Sequence, residues 1–147
     1  MTESRTYEPA QRFLGLAAAV LMLVGLLTGG LVAQAMVGKV PADPHAMLAS
    51  HLNAMLGAFW MLSVAFTLPM LRYGDVGRQR LAWVVTIPNY ANWIVTMVKA
   101  FLHVSGVDYT GHAANDAIFF ILDLTVVAPS LLASGAWVYG FLRKPSR

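Results

Sequence analysis

The stretch LAWVVTIPNYANWIVTMVKAFLHV, residues 81–104, is long and apolar enough to cross a membrane, yet it carries five polar side chains. These recur at spacings of three, four, three and four residues, which is the repeat of one helical face. Polar groups inside a bilayer are costly, so we expect this face to meet protein, water or a ligand. The five residues are Asn89, Asn92, Thr96, Lys99 and His103.

The composition of the whole chain agrees with a membrane protein. Of its 147 residues, 58% are hydrophobic and 12% are charged, whereas a soluble domain has about 25% charged residues. The net charge of +3 does not indicate nucleic-acid binding, because the basic residues lie at the ends of apolar segments and form no patch interleaved with aromatic residues. The chain has no cysteine, so disulfides, thiolate nucleophiles, iron–sulfur clusters and covalent c-type haem are excluded.

Four apolar segments predict the fold. They lie at about residues 13–37, 46–71, 81–104 and 116–142, each long enough to span a bilayer as a helix. We therefore predict an all-α, integral-membrane four-helix bundle, with residues 1–147 forming a single domain. The positive-inside rule then predicts that both termini are cytoplasmic. Eight of the ten basic residues lie on that side: Arg5, Arg12, Arg72, Arg78, Arg80, Arg143, Lys144 and Arg147.

Three ionisable side chains from three helices are expected at a similar depth. At a rise of 1.5 Å per residue, His51, Lys99 and Asp123 each lie about 7–10 Å inside the outer boundary. An ion pair between Lys99 and Asp123 is the simplest way to neutralise two charges there. Such a pair either orders the bundle or takes part directly in chemistry.

His51 lies on a helical face of small and flexible residues. Met47, Ala54, Met55 and Ala58 lie at helical spacing before and after it and leave room for a flat apolar ligand, with Met55 and Ala58 as candidate contacts. The alternative is that His51 only donates a hydrogen bond to a neighbouring helix. In the first segment, Gly25-x-x-x-Gly29 indicates close helix packing.

Several motifs resemble those of hydroxylaminobenzene mutases. Residues 44–52, PHAMLASHL, are similar to a Pro…Ser-His-Leu signature at the start of their second helix, and residues 89–93, NYANW, are similar to Tyr-Ala-Asn-Trp in their third. Residues 23–29, LVGLLTG, resemble their first helix. Styrene oxide isomerase is a more distant resemblance, through the histidine, residues 64–69 and the asparagine matching Asn92. Similarity covers about residues 12–142.

The resemblance implies a cofactor and an assembly. Styrene oxide isomerase is a four-helix membrane protein that forms a homotrimer and holds ferric haem b at the subunit interface through one axial histidine, which corresponds to His51. The iron then acts as a Lewis acid on the substrate oxygen. Two redox-neutral rearrangements are implied: N-arylhydroxylamine to 2-aminophenol, and aryl epoxide to aldehyde. The resemblance further implies that opening of the epoxide C–O bond gives a benzylic cation. Water would trap such a cation, so both reactions need a dry site.

The chain departs from this pattern at three positions. The family asparagine six residues after the histidine is Gly57 here, a tyrosine is replaced by Thr96, and a carboxylate is replaced by Pro88. The iron ligand is retained, whereas the groups that would orient an epoxide are not. We therefore expect Asn92 and Thr96 to orient the substrate, with Asn53 as a weaker candidate.

These observations predict an isomerase of aromatic compounds that serves aromatic degradation in the bacterial inner membrane, surrounded by lipid. A hydroxylaminobenzene mutase-type reaction is favoured over epoxide isomerisation. Two alternatives come from other classes. An electron-transfer haem protein would need His103 or a methionine as a second axial ligand. A small transporter would use Lys99, Asp123 and His103 as a relay.

Overall fold

Four helical spans make up the protein. The computed structural model describes residues 8–144, in which every regular element is a helix. All four spans are long and apolar enough to cross a membrane, which confirms the predicted all-α, multi-pass fold. The spans are α1 (Pro9–Met36), α2 (Pro44–Thr67, ending in a 3₁₀ turn at Leu68–Met70), α3 (Asp75–Leu102), and a fourth span of α4 (Ala113–Leu122), a π-helical segment (Asp123–Val127) and α5 (Ala128–Leu142).

Each span begins a few residues before its predicted start, and polar side chains cap two of them, α2 and α4. The Asp43 carboxylate accepts a hydrogen bond from the amide of Ala46 at 2.7 Å, and Pro44 occupies the first helical turn. His112 caps α4 in the same way. Cytoplasmic termini stay a prediction, and two residues used for that prediction, Arg5 and Arg147, lie outside the described residues.

The most extensive helix contact joins α1 to α2. A Cβ atom added at Gly25 would lie 2.9 Å from the Cβ atom of Ala54, which is closer than real side chains approach. The backbones can meet here only because Gly25 has no side chain, as in small-residue interfaces of membrane helices. The close packing that the Gly25-x-x-x-Gly29 spacing indicates is therefore confirmed.

A chain of hydrogen bonds ties α3 to the other two helices. The indole Nε1 of Trp93 donates to the hydroxyl of Thr28 in α1 at 3.0 Å. The Ser50 hydroxyl in α2 donates to the carbonyl of Trp93 at 2.9 Å. Because lipid competes for apolar contacts, such bonds help to fix the order of helices in a bundle.

The fourth span lies at the edge of the bundle and buries the smallest share of its residues. It packs mainly on α3, and the phenol of Tyr73 donates to the carbonyl of Ala136 at 2.7 Å. The π-helical segment immediately precedes Pro129, whose missing N–H group interrupts regular α-helical bonding. This segment places Asp123 on the exposed side of the span.

Candidate functional site

The imidazole of His51 rests on the two glycines of α1. Its Nδ1 atom lies 2.7 Å from the carbonyl oxygen of Gly25, and a Cβ atom added at Gly29 would lie 3.1 Å from its Cε1 atom. A carbonyl oxygen can only accept a hydrogen bond, so Nδ1 carries the hydrogen. The Nε2 atom makes no hydrogen bond within residues 8–144 and is not enclosed. It therefore presents a lone pair, as in a metal-ligating histidine whose other nitrogen is held by a carbonyl.

The surroundings of His51 suit a ligand that supplies its own donor atoms. No three His, Asp or Glu side chains converge within residues 8–144, so the described chain holds no metal site of several protein ligands. A macrocyclic group needs only one axial protein ligand, and His51 fits that requirement. Exposed apolar side chains flank this face, among them Leu26 on α1 and Leu52 on α2.

One expected cofactor contact requires correction. Ala58 is fully buried in the core between α1 and α2, as is Ala54, so it has no surface left for a planar ligand beside His51. Met55 remains partly exposed on the same face, so it has surface left to contact a planar ligand beside His51. The small residues of this face serve helix packing. Their spacing in the sequence is the same for helix packing as for a ligand-binding surface, so spacing alone does not distinguish the two.

The three expected substrate-orienting residues come together between α2 and α3. The side-chain amide of Asn53 donates to Asn92 Oδ1 and to Thr96 Oγ1, both at 3.1 Å. The Thr96 hydroxyl lies 3.3 Å from Asn92 Oδ1 and donates to it. Their catalytic roles stay a prediction, but the predicted polar face of α3 does meet protein here.

Beside this amide cluster is a cleft of about 310 Å³ between α2, α3 and α5. An engineered apolar cavity of about 150 Å³ already holds benzene, so a substituted aromatic ring has room here. Apolar and polar side chains share the lining, which comprises Asn53, Leu56, Gly57, Trp60, Pro88, Asn89, Asn92 and Ser130.

The cleft and His51 lie on different faces of α2. His51 contacts α1, whereas Asn53, two residues later, contacts α3. Two helical positions correspond to a rotation of about 200°. Within one chain, therefore, the candidate iron ligand and the candidate substrate groups are separated by the body of the helix.

The predicted ion pair between Lys99 and Asp123 does not form. The Lys99 ammonium donates to the carbonyl of Ser105 at 2.9 Å, near the end of its own helix, and Asp123 is exposed on the π-helical segment. The one salt bridge within residues 8–144 joins Arg78 to Glu8. A similar depth was predicted from the sequence, but depth alone does not determine which face of a helix a side chain occupies.

His103 and Lys99 line one surface cleft near the end of α3, but Asp123 is not among its lining residues. His103 ends α3 in a left-handed conformation, with φ of 53°, and is exposed. The three side chains of the predicted relay are therefore not brought together, and the arrangement gives no support to a relay through all of them.

A comparison of the whole chain with known protein families agrees with this geometry. The family model described as styrene oxide isomerase matches residues 10–142. The chain belongs to the styrene oxide isomerase family. It is also 27% identical over 145 residues to hydroxylaminobenzene mutase HabB from Ectopseudomonas oleovorans, covering 94% of this chain and 84% of that protein. The resemblance carried by the motifs around His51 and Asn92 is confirmed.

In this member of the styrene oxide isomerase family, sequence reasoning missed one close pair. Asn89 of α3 fills the space above Gly57 of α2, where an added Cβ atom would lie 2.6 Å from Asn89 Oδ1. The sequence shows each residue separately: Gly57 stands where the family pattern has an asparagine, and Asn89 belongs to the polar face of α3. Only the packing of the two helices joins them.

Proposed function

We propose that this protein is a multi-pass isomerase of the bacterial inner membrane that rearranges small aromatic compounds, with ferric haem b held by His51 as the single axial ligand. The observation that carries the proposal is the hydrogen bond from His51 Nδ1 to the Gly25 carbonyl, because it leaves Nε2 available as a ligand. Membership of a family named for an isomerase, and similarity to a protein named as a mutase, support the reaction class.

The favoured reaction converts an N-arylhydroxylamine into a 2-aminophenol. The N–O bond breaks, a C–O bond forms at the ortho ring carbon, and the hydrogen of that carbon moves to nitrogen, so atoms and electrons balance within one molecule. Haem, when bound, supplies a Lewis acid for an oxygen atom. The chain itself orients the substrate through the amide of Asn92, which is held by Asn53 and Thr96.

The cleft beside Asn92 also provides the dry environment that such chemistry needs. Leu56, Trp60 and Pro88 supply apolar lining within a membrane-spanning region, where bulk water is scarce. An aromatic substrate can enter from the lipid, in which it dissolves readily.

The separation of His51 from the cleft supports a homotrimer with the cofactor at the subunit interface. A contact between the His51 face of one copy and the cleft face of the next is head-to-tail, and such contacts form a ring when the rotation between copies closes. A two-fold dimer pairs the same patch on both copies, so it does not readily join two faces on opposite sides of α2. A trimer is the ring that the family resemblance implies.

The alternative reaction is the rearrangement of an aryl epoxide to an aldehyde. The family name supports it, and it would use the same His51 ligand. It is less favoured because Thr96, Gly57 and Pro88 replace the polar groups that the family pattern places around an epoxide. Both reactions remain redox-neutral isomerisations.

The proposal is tested by anaerobic incubation of purified, haem-loaded protein with phenylhydroxylamine, without any reductant. We expect 2-aminophenol from the wild type and from His45→Ala, since His45 is an exposed residue at the start of α2. His51→Ala should give no product above the rate with free haem. Equal rates for His51→Ala and the wild type would overturn the proposal, as would a wild type that converts neither phenylhydroxylamine nor styrene oxide.

A further inference from the structure

We propose that Asn89 determines specificity, because its side-chain oxygen accepts a hydrogen bond from an N–H or O–H group of the aromatic substrate. The inference deepens the proposed function by naming the chemical class of the substrate, and it rests on that function for the reaction. It concerns the pair of Asn89 on α3 and Gly57 on α2, at the lining of the cleft.

The orientation of the Asn89 amide is fixed by its own helix. Its Nδ2 atom donates to the carbonyl of Val85 at 2.7 Å. The reversed amide would place two oxygen atoms against each other, so the Oδ1 atom must point away from Val85. It points toward Gly57, where an added Cβ atom would lie 2.6 Å from it. The absence of a side chain at Gly57 is therefore what allows the amide to occupy this position.

The Asn89 oxygen is a deeply placed acceptor without a partner. The residue is 7% exposed, and its Oδ1 atom accepts no hydrogen bond from residues 8–144, although it is not sealed from the cleft. An acceptor that lacks a donor inside a membrane-spanning helix is unfavourable, and polar groups at membrane depth normally have a partner or a function. A ligand in the cleft that offers a hydrogen would satisfy it.

This requirement separates the two candidate substrates. An arylhydroxylamine carries N–H and O–H groups that can donate to Asn89, whereas an aryl epoxide carries only an acceptor oxygen. A site that places an acceptor against a substrate donor discriminates strongly against an analogue without one, since the protein group is then left unpaired. Asn89 therefore selects substrates that donate a hydrogen bond over compounds of similar shape that can only accept one.

The test uses two non-reactive ligands, benzyl alcohol and benzyl methyl ether, in which a methyl group replaces the hydroxyl hydrogen and so removes the donor. Binding is followed by the side-chain amide resonances of nitrogen-15 asparagine-labelled protein in detergent micelles. The chain has four asparagines, and the resonance that disappears in Asn89→Leu identifies Asn89. We expect benzyl alcohol to shift this resonance with saturation and to bind about ten- to a hundredfold more tightly than the ether.

Three variants complete the test. Asn89→Leu keeps the volume and removes the acceptor, so it should lose the preference for benzyl alcohol over the ether. Gly57→Ala displaces the amide without altering Asn89 and should reduce the preference in the same direction. Thr86→Val is the matched control, because the Thr86 hydroxyl is buried one turn earlier and donates to the Ala82 carbonyl. It should keep the wild-type preference.

Two results would overturn the inference. One is equal binding of the two ligands by the wild type, and the other is an unchanged preference in Asn89→Leu. The ligand measurement requires neither haem nor turnover, so it separates this inference from the proposed function. A preference that disappears in Asn89→Leu, in a protein that converts no hydroxylamine, would leave the Asn89 site intact and reject the proposed reaction.

Discussion

The imidazole of His51 is seated on Gly29, whose hypothetical Cβ atom would stand 3.1 Å from Cε1 and 3.3 Å from Nδ1 of the ring. The imidazole ring therefore packs directly against the backbone of Gly29, and its Nδ1 atom is hydrogen-bonded to the Gly25 carbonyl. A side chain at position 29 must move the ring, and with it the direction in which Nε2 points.

Gly29→Val should consequently weaken haem binding by about tenfold or more, because it displaces the ligand rather than removing it. The measurement is the haem-to-protein ratio after purification in detergent. Gly15→Val is the control, since a Cβ atom at Gly15 of the same helix meets nothing within 4 Å. Equal amounts of haem in both variants would show that the packing of His51 against Gly29 has no role in haem binding.

Subunit complementation should reveal that the site is shared between chains. His51→Ala and Asn92→Leu subunits, each inactive alone, should regain activity when they are co-expressed, because a mixed ring contains some interfaces with both groups intact. Random mixing predicts about one quarter of the wild-type rate. No recovery, in oligomers shown to be mixed, would place the complete site within one chain.

The hydrogen bond between Trp93 and Thr28 should contribute to bundle stability. Thr28→Val removes the acceptor for the Trp93 indole at nearly constant volume, and we expect a loss of about 1 kcal/mol in the free energy of unfolding, as for other interhelical bonds in membranes. Unfolding in mixed micelles measures it. Thr125→Val is the control, because that hydroxyl donates only to Ile121 of its own span. Equal losses in both variants would refute an interhelical contribution.

The number and type of elements could be predicted because apolar length is a property of each segment alone. The four spans follow from this. The polar stripe of α3 also predicts that this face meets protein, water or a ligand, and the structure shows that it meets Asn53 through Asn92 and Thr96. Polar side chains inside a membrane segment are costly in lipid, so they face the interior of the bundle or a water-filled cavity.

Relations that depend on helix rotation could not be predicted in the same way. The sequence predicts a similar depth for Lys99 and Asp123, but the two side chains form no ion pair, and Ala58 is used in helix packing although it shares the His51 face. The contact of Asn89 with Gly57 needs the crossing of α2 and α3, which no local pattern encodes.

The missing ion pair has a thermodynamic consequence. Lys99→Met and Asp123→Asn should change the free energy of unfolding independently, with a coupling below about 0.5 kcal/mol in a double-mutant cycle, since the two side chains share no contact. The four proteins of the cycle are compared by unfolding in mixed micelles. A coupling of 1 kcal/mol or more, a figure typical of contacting residues, would show that Lys99 and Asp123 do interact.

The most direct test of His51 as the iron ligand is the absorption spectrum of detergent-purified protein, expressed with added haem precursor, for the wild type, His51→Ala and His45→Ala. We expect a high-spin ferric Soret band in the wild type and in His45→Ala, and its loss in His51→Ala, because His51 Nε2 is the proposed iron ligand. A low-spin band would instead indicate a second axial ligand and favour electron transfer. A colourless wild type, or an unchanged band in His51→Ala, would refute haem ligation by His51.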